Sequence, residues 1–388
     1  MSAFYYKYGL SYLLLTIFLI SCVTKRKLEV VNSTDISATA NRESITFILG
    51  DDIQTDNMYY KEAAKYYNYN QNDRTEYMVN SCRSLTEVRE YLVKYPPANN
   101  QPWGTVNLVT HGNQWLGLSV KVMPGKKRTT ANRLKAAINQ GVFTPLPADV
   151  VDSRSELFVH GCSIGRNEDL LEELGNIFQS KDEKPLIRAS LFFENYTSDE
   201  DAGVVTDSKR YFVKAWFAYY KKGYKPGDIR LSRQLHMRYP NSNINWRDAL
   251  SRKEPRWPGD SYHYTFDVPI KWIVTYTNEA AIPNISTDEE KHLWLMDQKE
   301  LLSVIESTKI PINNFNWRMK TIKYKLNDGT LVPAIRAKGY ATILCVLVPF
   351  LSKDQNPINN YQPLVPELSD TTYYYVKHGT KLLTQKIK

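Results

Sequence analysis

The sequence predicts an α/β fold, a mostly parallel sheet flanked by helices, followed by a C-terminal region containing antiparallel strands. Three observations carry this. From residue 44 to residue 222, short apolar runs ending in Gly or polar residues alternate with helical patterns, as in parallel sheets covered on both faces. With 388 residues, 42% hydrophobic and 23% charged, the chain can bury one large core or two. After residue 316 the pattern turns to β-runs around an Asn327-Asp328-Gly329 turn.

Each element follows from its local pattern. "SITFILG" (44–50) is an apolar run ended by Gly50 and reads as a buried strand. "NMYYKEAAKYY" (57–67) has helical propensity, and "TEYMVN" (75–80) reads as a short strand. In "SLTEVREYLVKY" (84–95), Leu85, Val88 and Leu92 recur at helical spacing, Ser84 and Glu87 resemble a capping box, and Pro96-Pro97 stops the helix. The strand "TVNLVTHG" (105–112) then halts on a His-Gly pair. "WLGLSVKVMPGKKR" (115–128) reads as a hairpin excursion and "TANRLKAAINQ" (130–140) as a helix. "SELFVHGCSIG" (155–165) is another strand, breaking at Gly161-Cys162, and "NEDLLEELGNIF" (167–178) is a helix that Asn167 can cap. "LIRASLFFEN" (186–195) supplies a strand and "DSKRYFVKAWFAYYKK" (207–222) a helix. Beyond it, residues 228–239, 245–252 and 288–306 read as helices, and 264–277, 319–326, 340–351 and 371–378 as strands.

The first residues carry a targeting signal. "LSYLLLTIFLI" is shorter than the about 20 apolar residues of a membrane-spanning helix, and "LISC" follows at once. Leu19-Ile20-Ser21-Cys22 resembles the lipobox of bacterial lipoproteins, in which cleavage leaves a lipid-bearing cysteine. The expected organisation is a signal peptide (1–21), a lipidated Cys22 with a polar tether (22–43), an α/β domain (44–280) and a C-terminal helix plus β-rich region (281–388). The expected location is the bacterial cell envelope, attached to membrane through the N-terminal lipid. The alternative, an uncleaved membrane anchor over residues 11–21, stays open.

A net charge of +9 favours acidic partners, but the basic residues are scattered and no nucleic-acid motif accompanies them, so no nucleic-acid partner is expected. Once Cys22 is lipidated, Cys82, Cys162 and Cys345 remain, an odd number that leaves a free thiol. Cys345, in "ATILCVLVPF", reads as a small buried hydrophobe. Cys162 and His111 each end an apolar strand, 51 residues apart, and the carboxyl ends of such strands are where open α/β sheets collect reacting groups. An imidazole beside a thiol can take its proton and make it a nucleophile. The bland alternative is a strand-ending histidine and an inert buried thiol.

"VNLVTHG" and "LFVHGC", with the histidine about 50 residues upstream of the cysteine, resemble the caspase-like superfamily of cysteine peptidases, clan CD, which includes caspases, metacaspases, gingipains and clostripain. The resemblance covers residues 44–222. It implies a peptide or protein substrate, Cys162 as nucleophile, His111 as general base or acid, and an oxyanion held by the backbone N–H groups of Gly112 and Cys162. It implies no metal and no other cofactor for the chemistry. In several of these families the residue two before the cysteine lines the pocket for the P1 side chain; here it is His160, on the same side of the strand as Cys162, where it would shape substrate choice. His160 offers no carboxylate for Lys or Arg. "ENYTSDED" (194–201), read as an acidic solvated loop, could bring Asp199, Glu200 or Asp201 to such a pocket, so P1 preference is open. His236, His263, His292 and His378 have no metal-ligand spacing, Ser163 lacks a G-x-S-x-G setting, and Lys126-Lys127-Arg128 reads as an exposed basic turn.

Overall fold

The computed structural model of the protein describes residues 42–50, 57–70, 76–125, 128–181, 183–242, 244–254, 260–326, 328–349, 373–377 and 380–383. Residues 1–41, with Cys22 and all of the tether but Arg42 and Glu43, lie outside the described residues, as do His378 and the Lys126-Lys127 pair. Among the described residues no helix is long and apolar enough to cross a membrane.

In chain order the first half comprises β1 (Ser44–Ile48), α1 (Met58–Tyr69), β2 (Glu76–Val79), α2 (Leu85–Lys94), β3 (Thr105–Val109), β4 (Gly112–Asn113), β5 (Gly117–Lys121), β6 (Arg128–Thr129), α3 (Ala131–Asn139), β7 (Glu156–His160), α4 (Glu168–Ile177) and β8 (Leu186–Ser190). There follow β9 (Phe193–Asp201), β10 (Val204–Lys221), α5 (Asp228–Arg238), α6 (Trp246–Ser251), β11 (Tyr262–Thr275), α7 (Asp288–Met296), α8 (Lys299–Thr308), β12 (Asn316–Lys325), β13 (Leu331–Pro349), β14 (Tyr373–Lys377) and β15 (Thr380–Leu383).

The fold is α/β. Five strands form an all-parallel sheet in the order β2-β1-β3-β7-β8, and β14 then β15 extend it antiparallel beyond β8. After β1 the chain steps first to one side, for β2, and then to the other, for β3 and β7. The direction of winding therefore switches at β1/β3, where such sheets open a crevice at their carboxyl ends. One face of the sheet is aliphatic: Ile45, Phe47, Val106, Leu108, Leu157 and Val159 pack against α2, α3 and α4. The local signals act as read: the Ser84 side chain accepts the Glu87 N–H, and Glu87 in turn accepts the Arg83 N–H, one residue before the cap. Asn167 caps α4 through the Leu170 N–H.

The other face carries Thr46, Asn107, Glu156, His160 and Arg188 among its apolar residues. It is covered by α1 and by the β9–β10 hairpin. Residues 207–222, expected as a helix, are in fact most of β10. The reason is two-sided burial: Tyr211, Val213, Phe217 and Tyr219 face one core, while Trp216, Ala218 and Tyr220 face another, so no period-two alternation survives. Likewise "ENYTSDED" is strand β9, paired along β10, and not a loop. The helix expected over 288–306 is two helices, because the Gln298 side-chain amide donates to the Trp294 carbonyl that the next helical turn would have used.

β9, β10, β13 and β11 form an antiparallel curled sheet, with β12 beside the first half of β13. α5 and α6 cover one face. The other face packs α7 and α8, and it also receives Trp115, Leu116 and Cys162 from the rim of the parallel sheet. Trp115 stands edge-on to Phe217 and donates its indole N–H to the Thr308 carbonyl at 2.8 Å. The small β4-β5-β6 sheet thereby ties the segment after His111 to the second core.

That small sheet needs Gly117, whose φ is +70°; a Cβ there would overlap the Thr129 carbonyl oxygen. Gly117→Ala is expected to cost about 3 kcal/mol of stability, combining backbone strain with overpacking, and urea unfolding would measure it.

Candidate active site

β3 and β7 are neighbours whose final register pair is Val109–His160, and the Thr110 N–H then donates to the His160 carbonyl at 3.0 Å. His111 and Cys162 each lie two residues past that pair. Both are past the strand ends, and their surroundings differ: His111 meets Tyr59 and Tyr60 of α1, while Cys162 packs against the core of the second sheet. Tyr59 of α1 touches both strand ends: its ring stacks on His111 at 4.5 Å with a 30° interplanar angle, and its hydroxyl donates to the His160 carbonyl at 3.4 Å. Burial pushes the Tyr59 hydroxyl well above its ordinary pKa, and the nearby Glu194 and Cys162 push it further.

The His111 backbone is held from both sides. Its N–H donates to the Tyr60 hydroxyl at 3.1 Å, and its carbonyl accepts the Ser119 N–H at 2.6 Å and the Thr110 hydroxyl at 3.2 Å. Because His111 and Ser119 form a hydrogen-bonded pair, antiparallel alternation makes Gly112–Leu118 the next, non-bonded pair, with the Gly112 N–H turned away from β5. A Cβ on Gly112 would lie 2.9 Å from the Gly117 carbonyl oxygen and 3.1 Å from Ile164 Cδ1. The hairpin alone thus demands glycine after the histidine, whatever a substrate requires. Among the described residues no backbone carbonyl accepts the Cys162 N–H.

Cys162 is half-buried. Its Sγ lies 3.8 Å from the Glu194 carbonyl, to which it can donate. Burial, aided by the Glu194 charge, pushes the thiol up to about 12. The resting sulfur is therefore a thiol, and only proton transfer concerted with attack would make it a nucleophile. The next residue, Ser163, has a left-handed backbone (φ +49°) and donates its N–H to the Phe192 carbonyl at 2.8 Å. Asn167 joins the two rim segments, donating its side-chain amide to the Gln114 carbonyl at 2.9 Å.

His160, expected to touch substrate, is 0% exposed and engaged on both ring nitrogens. Nδ1 lies 2.7 Å from Glu194 Oε1, and Nε2 lies 3.0 Å from both the Tyr67 hydroxyl and Asn107 Oδ1. The Arg210 guanidinium sits 3.5 Å from the same Glu194 oxygen and 3.4 Å from His160 Nδ1. Burial lowers the His160 pKa, despite Glu194 and with the help of the Arg210 charge. For Glu194, burial alone would raise the carboxyl; His160 and the two nearby arginines outweigh it and hold the group ionised. The arrangement is then a carboxylate balanced by Arg210, with a neutral His160 donating Nδ1–H to Glu194 and accepting the Tyr67 O–H; Asn107 Oδ1, itself an acceptor, receives no proton from that Nε2.

This fixes a pH effect. Below 6.5 the unfolded chain binds a proton at His160 that the folded chain refuses, so stability falls as pH falls from that value. The slope is about 1.4 kcal/mol per pH unit for one proton. His160→Gln is expected to be less stable at pH 7 but to lack this slope, as urea unfolding at pH 7 and 5.5 would record.

Glu200 pairs with Lys65 at 2.6 Å, and Asp199, Glu200 and Asp201 are exposed at the end of β9, about 17 Å or more of extended chain from Glu194. Cys82 and Cys345 are buried, the Cys82 thiol pushed up to about 11 by burial. His236 and His292 are exposed, and His263 Nδ1 lies 3.2 Å from the Ala249 carbonyl. Among the described residues no group of three or more His, Cys, Asp or Glu could hold a metal ion. Sequence reasoning missed Tyr59, Glu194 and Arg210. The one readable trace was the doubled pair Tyr59-Tyr60 and Tyr66-Tyr67, seven residues apart and hence on one helix face.

No family model, curated protein or solved structure matches the chain.

Proposed function

We propose that this protein is an exported cysteine endopeptidase of caspase-like type, anchored to the cell envelope through lipid on Cys22. The observation that supports it is that His111 and Cys162 each lie two residues past one register pair, at the carboxyl ends of neighbouring parallel strands. In this reading the Cys162 sulfur attacks the scissile carbonyl while His111 takes the thiol proton. The N–H groups of Gly112 and Cys162 receive the oxyanion. His111 returns the proton to the leaving amine, and the acyl group remains as a thioester. Water, deprotonated by His111, then attacks the thioester and releases the carboxylic acid and the thiol. His160 acts from beneath the nucleophile and does not touch substrate.

The test is peptide-library hydrolysis by the protein under reducing conditions, beside the Cys162→Ala variant. Cleavage that disappears in the variant supports the reading; equal cleavage, or none by the wild type, removes it. The packing of Cys162 against the core of the second sheet, near Tyr262 and Tyr264, favours one rival. In that rival the scaffold binds a partner protein without catalysis, and Cys162 alkylates no faster than Cys82.

A further inference from the structure

Glu194 meets the nucleophile's segment twice. Its carboxylate binds His160, two residues before Cys162, and its own carbonyl oxygen is the acceptor 3.8 Å from the Cys162 sulfur. The Phe192 carbonyl, two residues earlier on the same run of chain, takes the Ser163 N–H at 2.8 Å. The stretch from Phe192 to Glu194 therefore grips residues 160 to 163 at three points, across a turn whose Ser163 sits in a left-handed conformation.

The grip is energetically expensive. Glu194 and His160 have no exposed side-chain surface, Arg210 has little, and Glu194 Oε2 has no hydrogen-bond partner among the described residues. Buried charge clusters of this kind seldom stabilise more than well-packed apolar side chains would, because desolvation offsets the attraction. What such a cluster does supply is direction, since each hydrogen bond has one geometry. Tyr67 from α1 fastens the far side of the His160 ring and Asn107 from β3 packs beside it, so the cluster links β3, β7, β9 and α1 at the level just below the strand ends that carry His111 and Cys162.

We infer that Glu194 is a positioning residue for Cys162, its ionic hydrogen bond to His160 setting the direction in which β7 delivers the sulfur to the rim. This rests on the peptidase reading but has a readout independent of it. Glu194→Gln keeps the size of the side chain and removes the charge. With it, kcat for peptide cleavage is expected to fall about thirtyfold while KM stays within about twofold, because support of a reacting group acts on turnover. Tyr67→Phe, which deletes only the hydroxyl at His160 Nε2, serves where Glu194→Gln does not fold, and should lower kcat about threefold with KM again unchanged.

The second readout is iodoacetamide labelling of each cysteine, followed by mass spectrometry. Release of the grip should raise the labelling rate of Cys162 about tenfold relative to Cys82, which is also buried and lies on the far side of the parallel sheet. Unchanged kcat and unchanged Cys162 labelling in the variants overturn the inference, as does a change in KM alone. If the wild type cleaves no peptide, the peptidase reading fails, and the labelling arm by itself decides whether Glu194 positions the sulfur.

Discussion

Replacing Cys162 with Ala, or His111 with Ala, is expected to lower kcat/KM for peptide hydrolysis about a thousandfold or more, with the fold retained. The two losses have different origins and different pH behaviour. Without Cys162 there is no nucleophile, and no pH restores one. Without His111 the sulfur remains, but a thiol held at about 12 is ionised in only about one molecule in 100,000 at pH 7. Each unit of added pH then yields about ten times more thiolate, so the His111→Ala variant should regain activity in proportion as pH rises, while Cys162→Ala stays flat. Initial rates from pH 7 to 9.5 would separate the two. Both variants should fold: the Tyr60 and Ser119 contacts of His111 use its backbone, and loss of its stack on Tyr59 costs about 1 kcal/mol. A His111→Ala enzyme with wild-type turnover at pH 7 would end the dyad.

The largest expected effect on stability comes from Arg210→Met. It removes the cation that balances Glu194 and leaves a buried carboxylate beside a neutral imidazole, a defect of about 3–5 kcal/mol. The loss should depend on pH in an informative direction. With Arg210 gone, the Glu194 charge draws a proton onto His160, raising its affinity above that in the wild type. The variant should therefore be least impaired at mildly acidic pH, where the wild type weakens. Urea unfolding at pH 7 and 5.5 would show this crossing of trends, and the Arg210→Met/Glu194→Gln double variant, with both charges removed, should recover much of the loss. A uniform deficit at both pH values would mean that Arg210 contributes packing, through its place over the Phe158 ring, and not charge.

The two site residues legible in the sequence share one property: each follows directly from the end of a strand. "VNLVTHG" and "LFVHGC" announce their position because a run of apolar residues ends and a polar or reactive one begins. His160 was legible as a neighbour of Cys162 on one side of the strand, but its role was not. Alternation tells which way a side chain points and says nothing of what is waiting there. What waits is Glu194 and Arg210, 34 and 50 residues further along the chain.

The fold divides in the same way. Every strand of the parallel sheet and each helix on its aliphatic face was readable, since burial on one side imprints a period on the sequence and caps mark the ends. β10 was not readable, because packed on both faces it shows neither period two nor a clean helical one. β9 was hidden by its acids, which occupy the exposed end of a hairpin whose other end is fully enclosed. The sequence by itself thus determined the parallel scaffold and the strand ends at His111 and Cys162, because those depend on local pattern. Only the tertiary structure decided that the second sheet packs on that rim, that Tyr59 stacks on His111, and that Glu194 meets the sulfur while Arg210 and Glu194 enclose His160. Those are meetings between distant segments, set by which surfaces bury together, and they leave no periodic mark along the chain.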